Sequence, residues 1–92
     1  MPDEGLARAI RARKRREILR MLCRDEKLSV HEIAKRLDTT ESSASKHLKL
    51  LYDLGFLNFE DKSPEKFYFL KIGEIRELFA VYGKITKKMR NG

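Results

Sequence analysis

The side chains able to do chemistry in this chain are few, and their spacing favours binding over bond making. Its histidines are His31 and His47, and its one cysteine is Cys23. Neither imidazole has a nucleophile and an orienting acid at a workable spacing, and no glycine-rich phosphate loop occurs, so no enzyme is expected. One thiol and two scattered imidazoles also lack the number and spacing of donors for a transition-metal site, and no cofactor or small-molecule ligand is implied. The densest polar run is Thr40 to Lys49. On a helix turning about 100° per residue, Ser42, Ser45, Lys46 and Lys49 share one side with Glu41 and Asp53, while Ala44, His47, Leu48, Leu51 and Leu54 share the other. Hydroxyls and ammonium groups displayed this way are reversible hydrogen-bond partners for base edges and phosphates. His47, on the packing side, reads as a partly buried hydrogen-bonding residue. Cys23 reads as inert packing, with a disulfide to its copy in a dimer as the less favoured role.

Such a face needs elements to present it. After an N-terminal tail over residues 1–5, the segment Leu6 to Cys23 lacks internal Gly or Pro and gathers Ala7, Ile10, Ile18, Met21 and Leu22 in one arc, which predicts a long first helix. Its other faces carry Arg8, Arg11, Arg13, Lys14, Arg15, Arg16 and Arg20, and Leu6 and Leu19 lie outside the main stripe, available to a partner. Ser29-Val30-His31-Glu32 reads as a capping box that opens a second helix through Ile33, Ala34 and Leu37. Asp38-Thr39-Thr40 is a turn with Thr40 as the cap of a third helix, which Gly55 closes. Leu57 to Glu60 alternates and Lys66 to Ile72 is rich in aromatic and branched residues, giving a hairpin with a charged tip over residues 61–65. Residues 73–90 form a last helix striped by Ile75, Leu78, Phe79, Tyr82, Ile85 and Met89, weakened but not ended by Gly83. The fold class is therefore mainly α with a small β-hairpin, in the order α-α-α-β-β-α, as one domain over residues 1–92.

Composition narrows the partner. Of 92 residues, 21 are Lys or Arg and 14 Asp or Glu, for a formal charge of +7. An excess of cations draws polyanions through phosphate contacts and counterion release, although a charge-dense solvated surface has the same composition. A lone cysteine excludes an internal disulfide, the charged N-terminal segment has no apolar core of a signal peptide, and no run approaches the ~18 apolar residues of a membrane span. A soluble, cytoplasmic chain without a membrane partner is expected.

Two helices joined by a tight turn, the second capped at its start and polar on one face, match the helix-turn-helix, whose second helix enters the major groove of DNA. The hairpin behind it takes the place of a wing. At this point the sequence resembles the ArsR-like branch of winged helix-turn-helix regulators. The resemblance runs through Arg16-Glu17-Ile18-Leu19-Arg20-Met21-Leu22, Leu28-Ser29-Val30-His31-Glu32-Ile33-Ala34-Lys35-Arg36-Leu37 and Thr40-Glu41-Ser42-Ser43-Ala44-Ser45-Lys46-His47-Leu48-Lys49-Leu50-Leu51, with Gly55 after them. It implies a homodimeric, DNA-binding repressor or activator. It also implies that Ser42, Ser43, Ser45 and Lys46 face base edges and phosphates, that Thr40 caps the helix with its amide end near a phosphate, and that Lys49 reaches the backbone. Many members of this group sense metals through paired cysteines near the start of the helix before recognition; here those positions hold Ser29 and His31.

Glu41 and the wing acids Glu60, Asp61 and Glu65 depart from what such proteins offer DNA, because carboxylates repel phosphate unless paired with a cation or aimed at a cytosine amino group. Lys62 and Lys66 are the wing cations available for DNA. The surplus apolar surface of the first and last helices favours a homodimer through them, which sets two recognition helices ~34 Å apart on a pseudo-palindromic duplex site. The rival expectations are a sequence-indifferent architectural protein that lays the arginine-rich first helix and Lys84, Lys87, Lys88 and Arg90 on phosphates, and a winged-helix module that binds protein.

Overall fold

The computed structural model describes residues 2–91. In chain order the elements are α1 (Pro2–Arg11), α2 (Arg13–Arg24), β1 (Leu28–Ser29), α3 (Val30–Leu37), α4 (Glu41–Asp53), β2 (Leu57–Lys62), β3 (Glu65–Leu70) and α5 (Ile75–Asn91). The strands form one antiparallel sheet in the order β1-β3-β2, with Leu28 opposite Tyr68 and Leu57 opposite Leu70. Ile18, Leu19 and Leu22 of α2, Ile33 of α3, Leu48 and Leu51 of α4 and Leu57 of β2 are the largest fully buried side chains of a single continuous core. The recognition-type helix is thereby wedged against α2, α3 and the sheet at once.

Several expectations are corrected. The first helix is two: Ala12 adopts φ −86° and ψ 132°, extended backbone that breaks the chain between α1 and α2. Neither Gly nor Pro marks the break, which is held instead by side-chain donors. The Arg16 guanidinium donates to the carbonyls of Ile10 and Arg11 at 2.7 and 2.8 Å, and that of Arg15 donates twice to the carbonyl of Arg8 at 3.2 and 2.7 Å. These carbonyls have no amide partner once the helix stops, and they form the negative end of its dipole. Two cations satisfy them, which also disperses a run of arginines that one straight helix would hold together. Of the segment expected as a tail, Pro2 to Gly5 are helical, with Asp3 and Glu4 in the first turn where carboxylates suit the amide end; Met1 lies outside the described residues.

Leu19 is fully buried in the core and offers nothing to a partner. The element order also gains β1, a pair of residues too short to show a strand period, so the chain runs α-α-β-α-α-β-β-α. The hairpin is longer than its alternation suggests: β2 and β3 pair as far as Lys62 and Glu65, leaving Ser63 and a cis-linked Pro64 at the tip. The last helix begins at Ile75 after a turn at Gly73 and Glu74, and passes through Gly83 unbroken. None of the described helices is long and apolar enough to cross a membrane.

Candidate nucleic-acid interface

The helix-turn-helix is fixed by local chemistry at each end. Ser29 Oγ accepts from the Glu32 amide at 3.1 Å while the Glu32 carboxylate accepts from the Ser29 amide at 3.1 Å, so the predicted capping box is complete. Those bonds hold the Glu32 carboxyl below its ordinary range. At the far end of α3 the Thr39 amide donates to Ala34 and that of Asp38 to Lys35, with Asp38 in the left-handed region at φ 54°. α4 closes the same way, through Phe56 to Leu51 and Gly55 to Tyr52, with Gly55 at φ 91°. Between these closures Thr40 Oγ1 accepts from the Ser43 amide at 3.0 Å and starts α4. The turn expected at residues 38–40 thus sets the angle at which α4 leaves α3.

Most residues singled out in α4 form one accessible surface. Ser42, Ser45, Lys46 and Lys49 are exposed, and Ala44, Leu48 and Leu51 face the core. Thr40 is exposed, but its side-chain oxygen is engaged as the cap, and Ser43 is half-buried beside it. Lys49 pairs with Asp53 one turn on at 3.2 Å, whereas Lys46 has no ion pair among the described residues. His47 is half-buried against α2, where burial first, then the Arg15 and Lys14 charges, depress its pKa below the ordinary imidazole value. Its Nδ1 faces the Arg15 guanidinium at 3.5 Å and accepts from it in the neutral form. Arg15 therefore ties the end of α1 to the inner side of α4. Cys23 is half-buried and its thiol pKa is raised, chiefly by burial.

The wing stands across a cleft from α4. About 350 Å³ of open space lies between them, lined by Ser45, Lys49 and Tyr52 on the helix side and by Phe59, Lys66 and Tyr68 on the wing side. Tyr52 packs on Phe59 at 5.2 Å between ring centroids and Phe59 on Tyr68 at 5.4 Å, so an aromatic chain sets the wing's distance from α4. Sequence reasoning missed Tyr52, although it lies seven residues after Ser45 on the same helical side. Lys66 Nζ sits over the Phe59 ring at 5.0 Å, exposed and facing the cleft. Lys62 is held 3.7 Å from Glu60, whose carboxylate also accepts from Lys27 and is kept below its ordinary pKa mainly by that bond. One wing acid is thereby answered chiefly by Lys27, and the wing cations differ: Lys66 has no ion pair among the described residues, whereas Lys62 faces Glu60.

Glu41 is likewise partnered. Its Oε2 accepts from His31 Nδ1 at 3.2 Å, across the turn from α3 to α4. Among the described residues no three His, Cys, Asp or Glu side chains converge as a metal site would require.

Comparison with known proteins places this architecture. A family model described as bacterial regulatory protein, arsR family, matches residues 13–58. The arsenical resistance operon repressor of Bacillus subtilis (strain 168) is 32% identical over 73 residues, covering 79% of this chain and 70% of that protein. The transcriptional activator HlyU of Vibrio cholerae is 31% identical over 80 residues, covering 87% of this chain and 73% of that one. The solved structure of HlyU from Vibrio cholerae N16961 superimposes with a TM-score of 0.81 over 91% of this chain and 90% of its own, at 28% identity. The homodimeric winged helix-turn-helix DNA-binding domain Mb0332 of Mycobacterium bovis shares the fold with a TM-score of 0.83, over 96% of this chain and 81% of its own, at 19% identity.

Proposed function

The chain belongs to the arsR family of bacterial regulatory proteins, a group of transcriptional regulators and not of enzymes, and from that premise we propose how it engages DNA. It acts as a homodimer that seats α4 of each protomer in the major groove of double-stranded DNA and reads a two-fold-related site. The observation that carries this reading is the outward side of α4: Ser42, Ser45, Lys46 and Lys49 lie exposed together on a helix capped at both ends and held by the core. Ser42, Ser45 and Lys46 meet base edges and adjacent phosphates, and Lys49 the backbone. Thr40 and Ser43 contribute by fixing the amide end of α4 toward a phosphate. On the wing Lys66 is the stronger candidate for the backbone, since the Lys62 charge is already partnered.

Dimerisation through α1 and α5 is supported by what those helices leave uncovered. Val81, Ile85 and Met89 on α5 are 52%, 54% and 76% exposed. Where α5 begins, an apolar groove of about 390 Å³ is lined by Pro2 and Leu6 of α1, Ile72, and Ile75 and Leu78 of α5. Exposed aliphatic side chains on one helix, with an apolar groove at its start, suit a surface that another chain covers. The architectural alternative is weakened by the first helices, where Arg15 and Arg16 are spent on α1 carbonyls and Arg20 lies over Phe79 and Tyr82, 5.2 Å from each ring centroid.

Amide shift mapping during titration with a short duplex tests the assignment. Perturbation is expected over residues 40–49 and at Lys66, with Lys84 to Arg90 unmoved; the opposite distribution contradicts the reading.

A further inference from the structure

We propose that Glu41 is itself a base-reading residue, its carboxylate accepting the exocyclic amino group of a cytosine, and that His31 is the positioning residue that holds it. The proposal rests on the reading of α4 as the helix that enters the major groove.

Glu41 is the first residue of α4, at the end that meets base edges when such a helix docks. A carboxylate there needs an explanation, because it adds negative charge where phosphates approach. It is not required as the helix cap, since Thr40 Oγ1 fills that role. Nor is it withdrawn from solvent: its side chain is 61% exposed and that of His31 65%. His31 Nδ1 donates to Oε2 at 3.2 Å, and the other carboxylate oxygen has no partner among the described residues. The pair opens onto a cleft of about 300 Å³, shared with Ser45 of α4 and with Pro64, Glu65 and Lys66 of the wing.

A carboxylate only accepts hydrogen bonds. The major-groove edges of guanine and thymine present acceptors, which repel it. Adenine presents an amino donor beside the N7 acceptor, so it suits an amide side chain that both donates and accepts. Cytosine presents an amino donor without a neighbouring acceptor on its own edge. The base edge that complements Glu41 is therefore cytosine. His31 restrains one oxygen of the carboxylate and so fixes the direction of the other, which narrows the set of base positions it can reach.

Selection from a random duplex pool tests this, using the full chain as wild type, Glu41→Gln, Glu41→Ala and His31→Ala, with thermal melts to confirm that each variant folds. The wild type is expected to enrich cytosine at one position in each half-site. Glu41→Gln is expected to move that preference to adenine and leave the other positions as they were, and Glu41→Ala to lose about tenfold or more in discrimination there. His31→Ala is expected to relax the same position alone, which a general loss of packing would not do. The same motif from wild type and Glu41→Gln, with only tighter binding in the variant, means that the carboxylate merely repels backbone and overturns the proposal. A cytosine preference undiminished in His31→Ala overturns the positioning role. If the wild type enriches no motif at all, the reading of α4 fails first and the proposal with it.

Discussion

His47 shows how a half-buried side chain can couple the packing of two helices to its protonation state. Its imidazole accepts from Arg15 only while neutral, and burial together with the Arg15 and Lys14 charges keeps it so. The folded-state pKa is lowered, so as pH falls the unfolded chain takes up a proton first, near the ordinary value of 6.5. Stability is full above that value and is lost as pH falls through the lower folded one. Thermal melts should show wild type losing stability below pH 6.5 relative to His47→Gln, which cannot titrate; parallel curves contradict the geometry. Glu32 has its own window, since its lowered carboxyl contributes above the ordinary 4.5 and fails only at lower pH. The two lysines of the wing part company on similar grounds. Lys66→Ala should reduce the slope of log affinity against log salt by ~0.9 for each phosphate that the protein no longer neutralises. Lys62→Ala should reduce it less, because part of the Lys62 charge faces Glu60, 3.7 Å away. Anisotropy across a salt series reads both, and equal slope changes count against the assignment.

The elements repeat one device at different strain. α3 and α4 end in the same pair of backbone bonds, but the left-handed residue is Asp38 in one and Gly55 in the other. A side chain in that region costs energy that glycine avoids, least for Asp and Asn and most for branched residues. Asp38→Gly should therefore be neutral or stabilising by up to about 1 kcal/mol, and Asp38→Val destabilising by about 1–2 kcal/mol, in denaturant titrations. Equal stability of the two variants speaks against a strained turn. The elbow between α1 and α2 depends on side chains: Arg16→Ala leaves the carbonyls of Ile10 and Arg11 to water, and a loss of about 1 kcal/mol is expected after allowing for solvent screening. Those facts explain what was legible in the sequence. The capping box, the Thr40 cap, Gly55 and the outward side of α4 were legible because each is a local pattern whose physics spans a few residues. The elbow was not, since what holds it is guanidinium groups reaching back to carbonyls, and the apolar period of residues 6–23 continues across it. Nor was β1, where pairing with β3 is supplied by Tyr68 and Phe67, far along the chain from Leu28 and Ser29. Leu19 was misread because an arc drawn for one straight helix does not hold once the chain turns at Ala12. Tyr52 was visible in the helical period but meaningful only once Phe59 stood beside it.

At the scale of the whole molecule, α4 and α5 leave different surfaces uncovered. Lys46 and Lys66 present cations beside the exposed serines of α4, while α5 carries uncovered Val81, Ile85 and Met89 together with its own exposed lysines. A dimer built on α5 makes two α4 helices act together, so Ile85→Glu should halve the sedimentation mass at micromolar concentration and leave the helical circular dichroism unchanged. A wild-type mass equal to one chain contradicts the dimer outright. Arg15 joins the last turn of α1 to His47 on the inner side of α4. The central claim is that the exposed side of α4 reads base sequence, and duplex selection followed by anisotropy on wild type and Ser45→Ala/Lys46→Ala tests it most directly. The account predicts a two-fold-related motif with half-sites about one helical turn apart, ~34 Å, and a preference over scrambled duplex that falls about tenfold or more in the double variant. Salt-sensitive binding with no enriched motif, or a motif that the double variant reads as well as wild type, contradicts it.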